Sequence, residues 1–77
     1  MDIKSSGTDT VILGIDPGTY ILGYGVIRVY RNKPVYVDMG VIDLRKIGTH
    51  FEKIAEIYRQ VDKLIGRFHP DILSIES

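Results

Sequence analysis

Val11-Ile12-Leu13-Gly14-Ile15 is an unbroken apolar run that ends on Asp16-Pro17-Gly18. A strand with one wet face alternates apolar and polar residues, whereas a continuous run belongs to a strand covered on both faces. Such a strand needs helices packed on its sheet, which makes the chain an α/β protein. The rest of the sequence offers a single helix as cover. One face of the sheet is therefore expected to lie open and to promote association.

The segment Gly23-Tyr24-Gly25-Val26-Ile27-Arg28-Val29-Tyr30 is rich in β-formers and closes on Arg31-Asn32-Lys33-Pro34. Val35 to Leu44 is a third strand. Simple alternation sets Val35, Val37, Met39 and Val41 on one face and Tyr36, Asp38, Gly40 and Ile42 on the other. Short links between the three strands imply an antiparallel meander. Thr49-His50-Phe51-Glu52 is a capping box in which the hydroxyl and the carboxylate each take an orphan backbone N–H. Behind it Phe51, Ile54, Ala55, Tyr58, Val61, Leu64, Ile65 and Phe68 recur at steps of three and four. That spacing predicts an amphipathic helix of roughly 27 Å with Tyr58 in the core. His69-Pro70 stops it, and Asp71 to Glu76 reads as a fourth strand.

The order is β-β-β-α-β. A helix that returns the chain to a new strand makes that strand parallel to one already present. Its best neighbour is the apolar strand Val11–Asp16. Asp16 and Glu76 would then emerge side by side at one edge of the sheet.

At 77 residues the chain is at most one domain with a marginal core of its own. It has no cysteine and only His50 and His69, which rules out disulfides and a Cys/His zinc site. Ten basic and ten acidic side chains cancel, so composition makes no global case for nucleic acid, and any such contact must be local. No stretch approaches the ~20 apolar residues of a membrane span. Residues 1–10 are polar and without a signal-peptide core, and are expected to be a flexible leader on a cytoplasmic protein, with residues 11–77 as the folded unit.

Two carboxylates ending adjacent parallel strands repel each other. Magnesium resolves such a repulsion, because it takes oxygen ligands and needs only one or two carboxylates. Two such ions ~3.5–4 Å apart can activate a water and stabilise the leaving oxygen of a phosphodiester. On residue types alone the plainer reading is favoured: Asp16 opens a turn with Pro17-Gly18 and Glu76 merely ends a strand. Gly18 is expected to supply a positive φ in that turn, and Gly23 and Gly25 to allow close backbone approach by a DNA phosphate or by a neighbouring strand. No Gly-Lys-Ser/Thr follows, which excludes a P-loop. Arg28, Arg31, Lys33, Arg45 and Lys46 gather near the hairpin and the loop before the helix, where a solvated edge is the default and phosphate contact the alternative. His50 and His69 flank the helix without an evident chemical role.

Ile12-Leu13-Gly14-Ile15-Asp16-Pro17-Gly18-Thr19 followed by Gly23-Tyr24-Gly25-Val26-Ile27 resembles the opening of the RuvC family, Holliday junction resolvases with a ribonuclease H-like fold. Pro70-Asp71-Ile72-Leu73-Ser74-Ile75-Glu76 resembles that family's second signature, the strand after the first helix. The resemblance runs from Val11 to Ser77. It implies a mixed ribonuclease H-like sheet, incomplete here, with Asp16 and Glu76 as the first two of four metal-binding catalytic acids. The other two acids lie in the family on a late C-terminal helix, beyond Ser77. Asp43, Asp62 and Asp71 match no family site position. The resemblance further implies a magnesium-dependent endonuclease that cuts four-way junction DNA with two ions per complete site, manganese being able to substitute. It also implies a homodimer and branch-migration motor proteins as partners. A piece with half the acids is expected to be inactive.

Three other readings stand beside this one. Actin/Hsp70-like ATPases also carry Asp-x-Gly-Thr after a first strand, but Pro17 and the Pro70-Asp71…Glu76 strand speak against them. YqgF-type nuclease relatives share the loop and the fold, and Gly23-Tyr24-Gly25 favours RuvC over them. A degenerate module that only binds a partner is the non-enzymatic alternative.

Overall fold

The computed structural model describes residues 9–18 and 20–76. The expected flexible leader falls almost wholly on residues 1–8, which lie outside the described residues. The chain runs β1 (Thr10–Pro17), β2 (Ile21–Tyr30), β3 (Lys33–Asp43), α1 (His50–Phe68) and β4 (Ile72–Ile75). One four-stranded sheet has the order β3-β2-β1-β4. β1 pairs antiparallel with β2, β2 antiparallel with β3, and β4 parallel with β1, which is the arrangement the sequence implied. The meander is tight because Arg31 and Asn32 both adopt left-handed backbone, with φ of 51° and 64°. Two such residues form the type I′ turn whose twist matches that of a hairpin. The third strand consequently begins at Lys33, two residues nearer the turn than Val35, while β2 ends at Tyr30 as expected and starts earlier, at Ile21. Pro34 is tolerated because β3 is an edge strand.

α1 covers one sheet face. Leu13, Ile15, Leu22, Val26, Ile42, Leu44 and Leu64 form the buried cluster, with Ile57, Val61 and Phe68 packed against it. Every sheet residue in that set has the same parity along its strand, so a single face is filled. The helix differs from its expected orientation. Tyr58 is 76% exposed and Phe51 80%, and Ile54 and Ile65 are exposed with them. The apolar arc of this helix is wider than one contact face. Ile57, Val61, Leu64 and Phe68 meet the sheet, while the arc through Phe51, Ile54 and Tyr58 stays outside. Leu73 and Ile75, in register with buried Leu13 and Ile15, are likewise exposed on edge strand β4. No helix among the described residues is long and apolar enough to cross a membrane.

Thr49 caps α1: its Oγ1 accepts from the Glu52 N–H at 3.1 Å. The reciprocal half of the box differs from expectation, because the Glu52 carboxylate accepts from the Thr49 hydroxyl at 3.0 Å rather than from a backbone N–H. Thr49→Ala removes both bonds and should destabilise the fold by about 1 kcal/mol. The check is a lower denaturation midpoint at unchanged slope. At the other end His69 takes left-handed backbone (φ 48°) and its N–H donates to the Ile65 carbonyl at 2.9 Å. This αL cap, with Pro70 behind it, turns the chain toward β4.

Candidate functional site

β1 and β4 run parallel with Ile12 opposite Ile72, Gly14 opposite Ser74 and Ile15 opposite Ile75. The Glu76 N–H donates to the Ile15 carbonyl at 2.9 Å, so the parallel pairing carries on to the end of β4. Asp16 and Glu76 therefore occupy corresponding positions at the carboxyl ends of neighbouring strands, a strand spacing of ~4.8 Å apart. Both are exposed, and both share the parity of Gly14 and Ser74, opposite to the face that α1 covers. No third acid or imidazole joins them among the described residues.

The two acids border a trough of about 500 Å³ on the open face. Gly14, Gly23 and Gly25 make its floor, with Gly14 paired to Gly25 and Asp16 paired to Gly23. The three glycines are not forced by neighbouring backbone. A Cβ built on Gly14, Gly23 or Gly25 would meet nothing closer than 3.8, 3.9 and 3.7 Å respectively, ordinary contact distances. The expected close approach of a neighbouring strand at Gly23 and Gly25 is thus absent. What a side chain would take up there is the trough itself. Gly18 is required for a different reason than a positive φ: a Cβ would sit 2.4 Å from the Ile21 carbonyl oxygen, to which the Gly18 N–H donates at 3.0 Å. Space, not backbone handedness, demands glycine in the turn after Asp16.

The far wall of the trough comes from β3 and was not legible as such. Val37 is an extra residue on β3, a bulge opposite Val26/Ile27. Strict alternation put Tyr36 with Asp38, Gly40 and Ile42. The bulge reverses its face, so Tyr36 pairs with Ile27 and its ring lies against Gly25 in the trough beside Met39 and Val41. The one sequence signal was the run Val35-Tyr36-Val37, where alternation of polarity is lost. On the covered face Tyr24 lies over Gly40, where a Cβ would meet its ring and hydroxyl at 2.8 to 3.0 Å. Its hydroxyl donates to Asp38 at 3.3 Å. Burial, and then the Asp38 charge, push the Tyr24 phenol up from its ordinary pKa.

Two acids away from the trough, Asp71 and Asp43, have local partners. Asp71 accepts from the Val11 N–H at 2.8 Å and so ties β4 to the start of β1. Asp43 accepts from the Arg45 side chain and backbone, at 2.6 to 3.1 Å, and these bonds pull its carboxyl down to about 2. Of the basic residues, Arg28 pairs with Asp9, Arg45 with Asp43, and Arg31 lies over the Tyr30 ring. No lysine or arginine among the described residues lines the trough. Lys53 sits 4.8 Å from the centre of the Tyr20 ring, pinning the loop after Asp16 to the first turns of α1, a contact the sequence did not suggest.

Comparison with known proteins places this geometry. The chain is 49% identical over 69 residues to the crossover junction endodeoxyribonuclease RuvC of Bacteroides fragilis, an alignment covering 90% of this chain and 37% of that protein. The structure matches that of Thermus thermophilus RuvC with a TM-score of 0.79 at 28% identity, covering 88% of this chain and 45% of the other. It matches T. thermophilus RuvC in complex with Holliday junction substrate with a TM-score of 0.78 at the same identity, covering 88% and 44%. The chain thus spans less than half the length of the relatives it matches. The fold is the ribonuclease H-like mixed sheet, of which these elements form part. With the model of the family described as crossover junction endodeoxyribonuclease RuvC matching residues 12–77, the chain belongs to the RuvC family.

Proposed function

We propose that this chain is the opening part of a structure-selective endonuclease that cuts four-way DNA junctions with a divalent cation held between Asp16 and Glu76. One observation carries the reading: two exposed carboxylates in corresponding positions at the ends of parallel strands, on the face the helix leaves open. The donor set fits the ion. Two hard carboxylate oxygens with no nitrogen or sulfur ligand beside them suit magnesium, which takes one or two carboxylates and keeps its waters, and manganese as a substitute. Cation bound there supplies the activation of a water and the neutralisation of the leaving oxygen. Asp16 and Glu76 hold that charge at the sheet edge. The glycine floor lets a backbone phosphate approach the main chain without meeting a side chain. A complete two-ion site takes further acids, which the family resemblance puts on a later helix.

The four-way junction has approximate two-fold symmetry, so paired cuts suit a homodimer with one such site per subunit. Cytoplasmic location and motor-protein partners rest on the family resemblance. The test is a synthetic four-way junction offered to the complete protein, with and without magnesium, beside an ATP hydrolysis assay. Symmetric, cation-dependent cuts at the junction are expected, with no ATP turnover. Absence of cutting, or ATP turnover in its place, overturns the reading.

A further inference from the structure

We propose that Tyr36 is a positioning residue for the DNA strand: its ring stacks on a nucleobase close to the cut phosphate and sets that phosphate against Asp16 and Glu76. The inference rests on the reading of that pair as the cleavage centre, and it adds how the strand is held. Three features carry it. The bulge at Val37 turns Tyr36 onto the open face, where its ring lies against Gly25 and remains 64% exposed. Gly25 pairs with Gly14, two positions before Asp16 on β1. At ~3.3 Å per residue along a strand and ~4.8 Å between strands, the ring's seat lies about 8 Å from the Asp16 backbone. That is between two and three stacked nucleotides at ~3.4 Å per step.

Charge and chemistry select the occupant. Among the described residues the trough is lined by two carboxylates and no cationic side chain, so nothing described at the Tyr36 end attracts a phosphate. It offers an aromatic ring with the thioether of Met39 and the isopropyl of Val41 beside it, all exposed on edge strand β3. Such a surface takes the flat face of a base, whatever its sequence. Bases at the crossover of a junction are the ones freed from continuous stacking, and a sequence-tolerant platform suits an enzyme selective for structure.

The experiment uses the complete protein and junctions carrying 2-aminopurine or an abasic site at each of the three nucleotides either side of the cut. Tyr36→Ala should lower the single-turnover cleavage rate about 10-fold, while Tyr36→Phe keeps most of it. At one position 2-aminopurine fluorescence should be quenched by the wild type and by Tyr36→Phe but not by Tyr36→Ala. An abasic site at that position should slow the wild type and leave Tyr36→Ala no slower than before, because the two changes remove the same contact. The proposal is overturned if Tyr36→Ala cuts like the wild type. It is equally overturned if its loss is the same on intact and abasic junctions, or tracks a lowered melting temperature that Tyr36→Phe shares. Wild-type cutting that Asp16→Asn abolishes, with Tyr36→Ala unaffected, removes the platform alone. A wild type that cuts no junction removes the cleavage centre and the platform together.

Discussion

Asp16→Asn in the complete protein is expected to cut junctions slower by a factor on the order of 10³ or more, while binding them as well as the wild type. The substitution keeps the shape of the side chain and an oxygen that accepts hydrogen bonds, but removes one negative charge. Asp16 is exposed and makes no side-chain bond that supports β1 among the described residues, so the fold should not feel the change. A neutral amide oxygen is a poorer partner for a divalent cation than a carboxylate, and misplacing that charge removes its stabilisation of the reacting phosphate. Junction affinity comes from phosphate contacts and shape, to which an acid contributes repulsion. Binding should be equal or slightly tighter, most clearly without metal. A gel-shift titration and a cleavage time course on one junction in one buffer provide the check. Parallel loss of binding and cleavage in a folded variant would make Asp16 structural and the assignment wrong.

Residues 1–77 produced alone should show no measurable junction cleavage and should associate in solution. Two acids do not hold two magnesium ions firmly, and no third acid or imidazole stands with them among the described residues. The core is also one-sided. Met39 and Val41 on the open face, and Phe51 and Tyr58 on the outer arc of α1, are 61 to 80% exposed. Contiguous apolar surface of that kind drives association when nothing covers it. Analytical ultracentrifugation should show species heavier than a monomer, growing with concentration. Cleavage by this segment, free of contaminating nuclease and comparable to that of the complete protein, would show that the site needs no further acids.

Much of this molecule was written in local pattern. The apolar run of β1, the Arg31-Asn32 turn, the Thr49 cap and the His69-Pro70 stop each act over a few residues, so composition and spacing determined the element order β-β-β-α-β. Chain connectivity then requires β4 to lie parallel to an earlier strand, and that sets Asp16 and Glu76 at one edge. The acids were legible because they end elements, and element ends follow from periodicity.

Tertiary structure decided what periodicity leaves degenerate. Nine apolar residues on α1, Ile57 among them although it fell outside the spacing read from the sequence, define an arc wider than the sheet it meets, and only packing chose Ile57, Val61 and Leu64 over Phe51 and Tyr58. Alternation along β3 assumed an unbroken ladder, whereas one extra residue at Val37 reverses the face of everything before it. Tyr36 thereby moved from the helix side to the trough. The demand for glycine at position 18 likewise comes from the Ile21 carbonyl, three residues on and across the turn, whose approach is set by how the chain folds back. Local sequence determines which elements form and where they stop. Which of their faces meet depends on contacts between residues far apart in the chain, and those exist only once the sheet and helix are assembled.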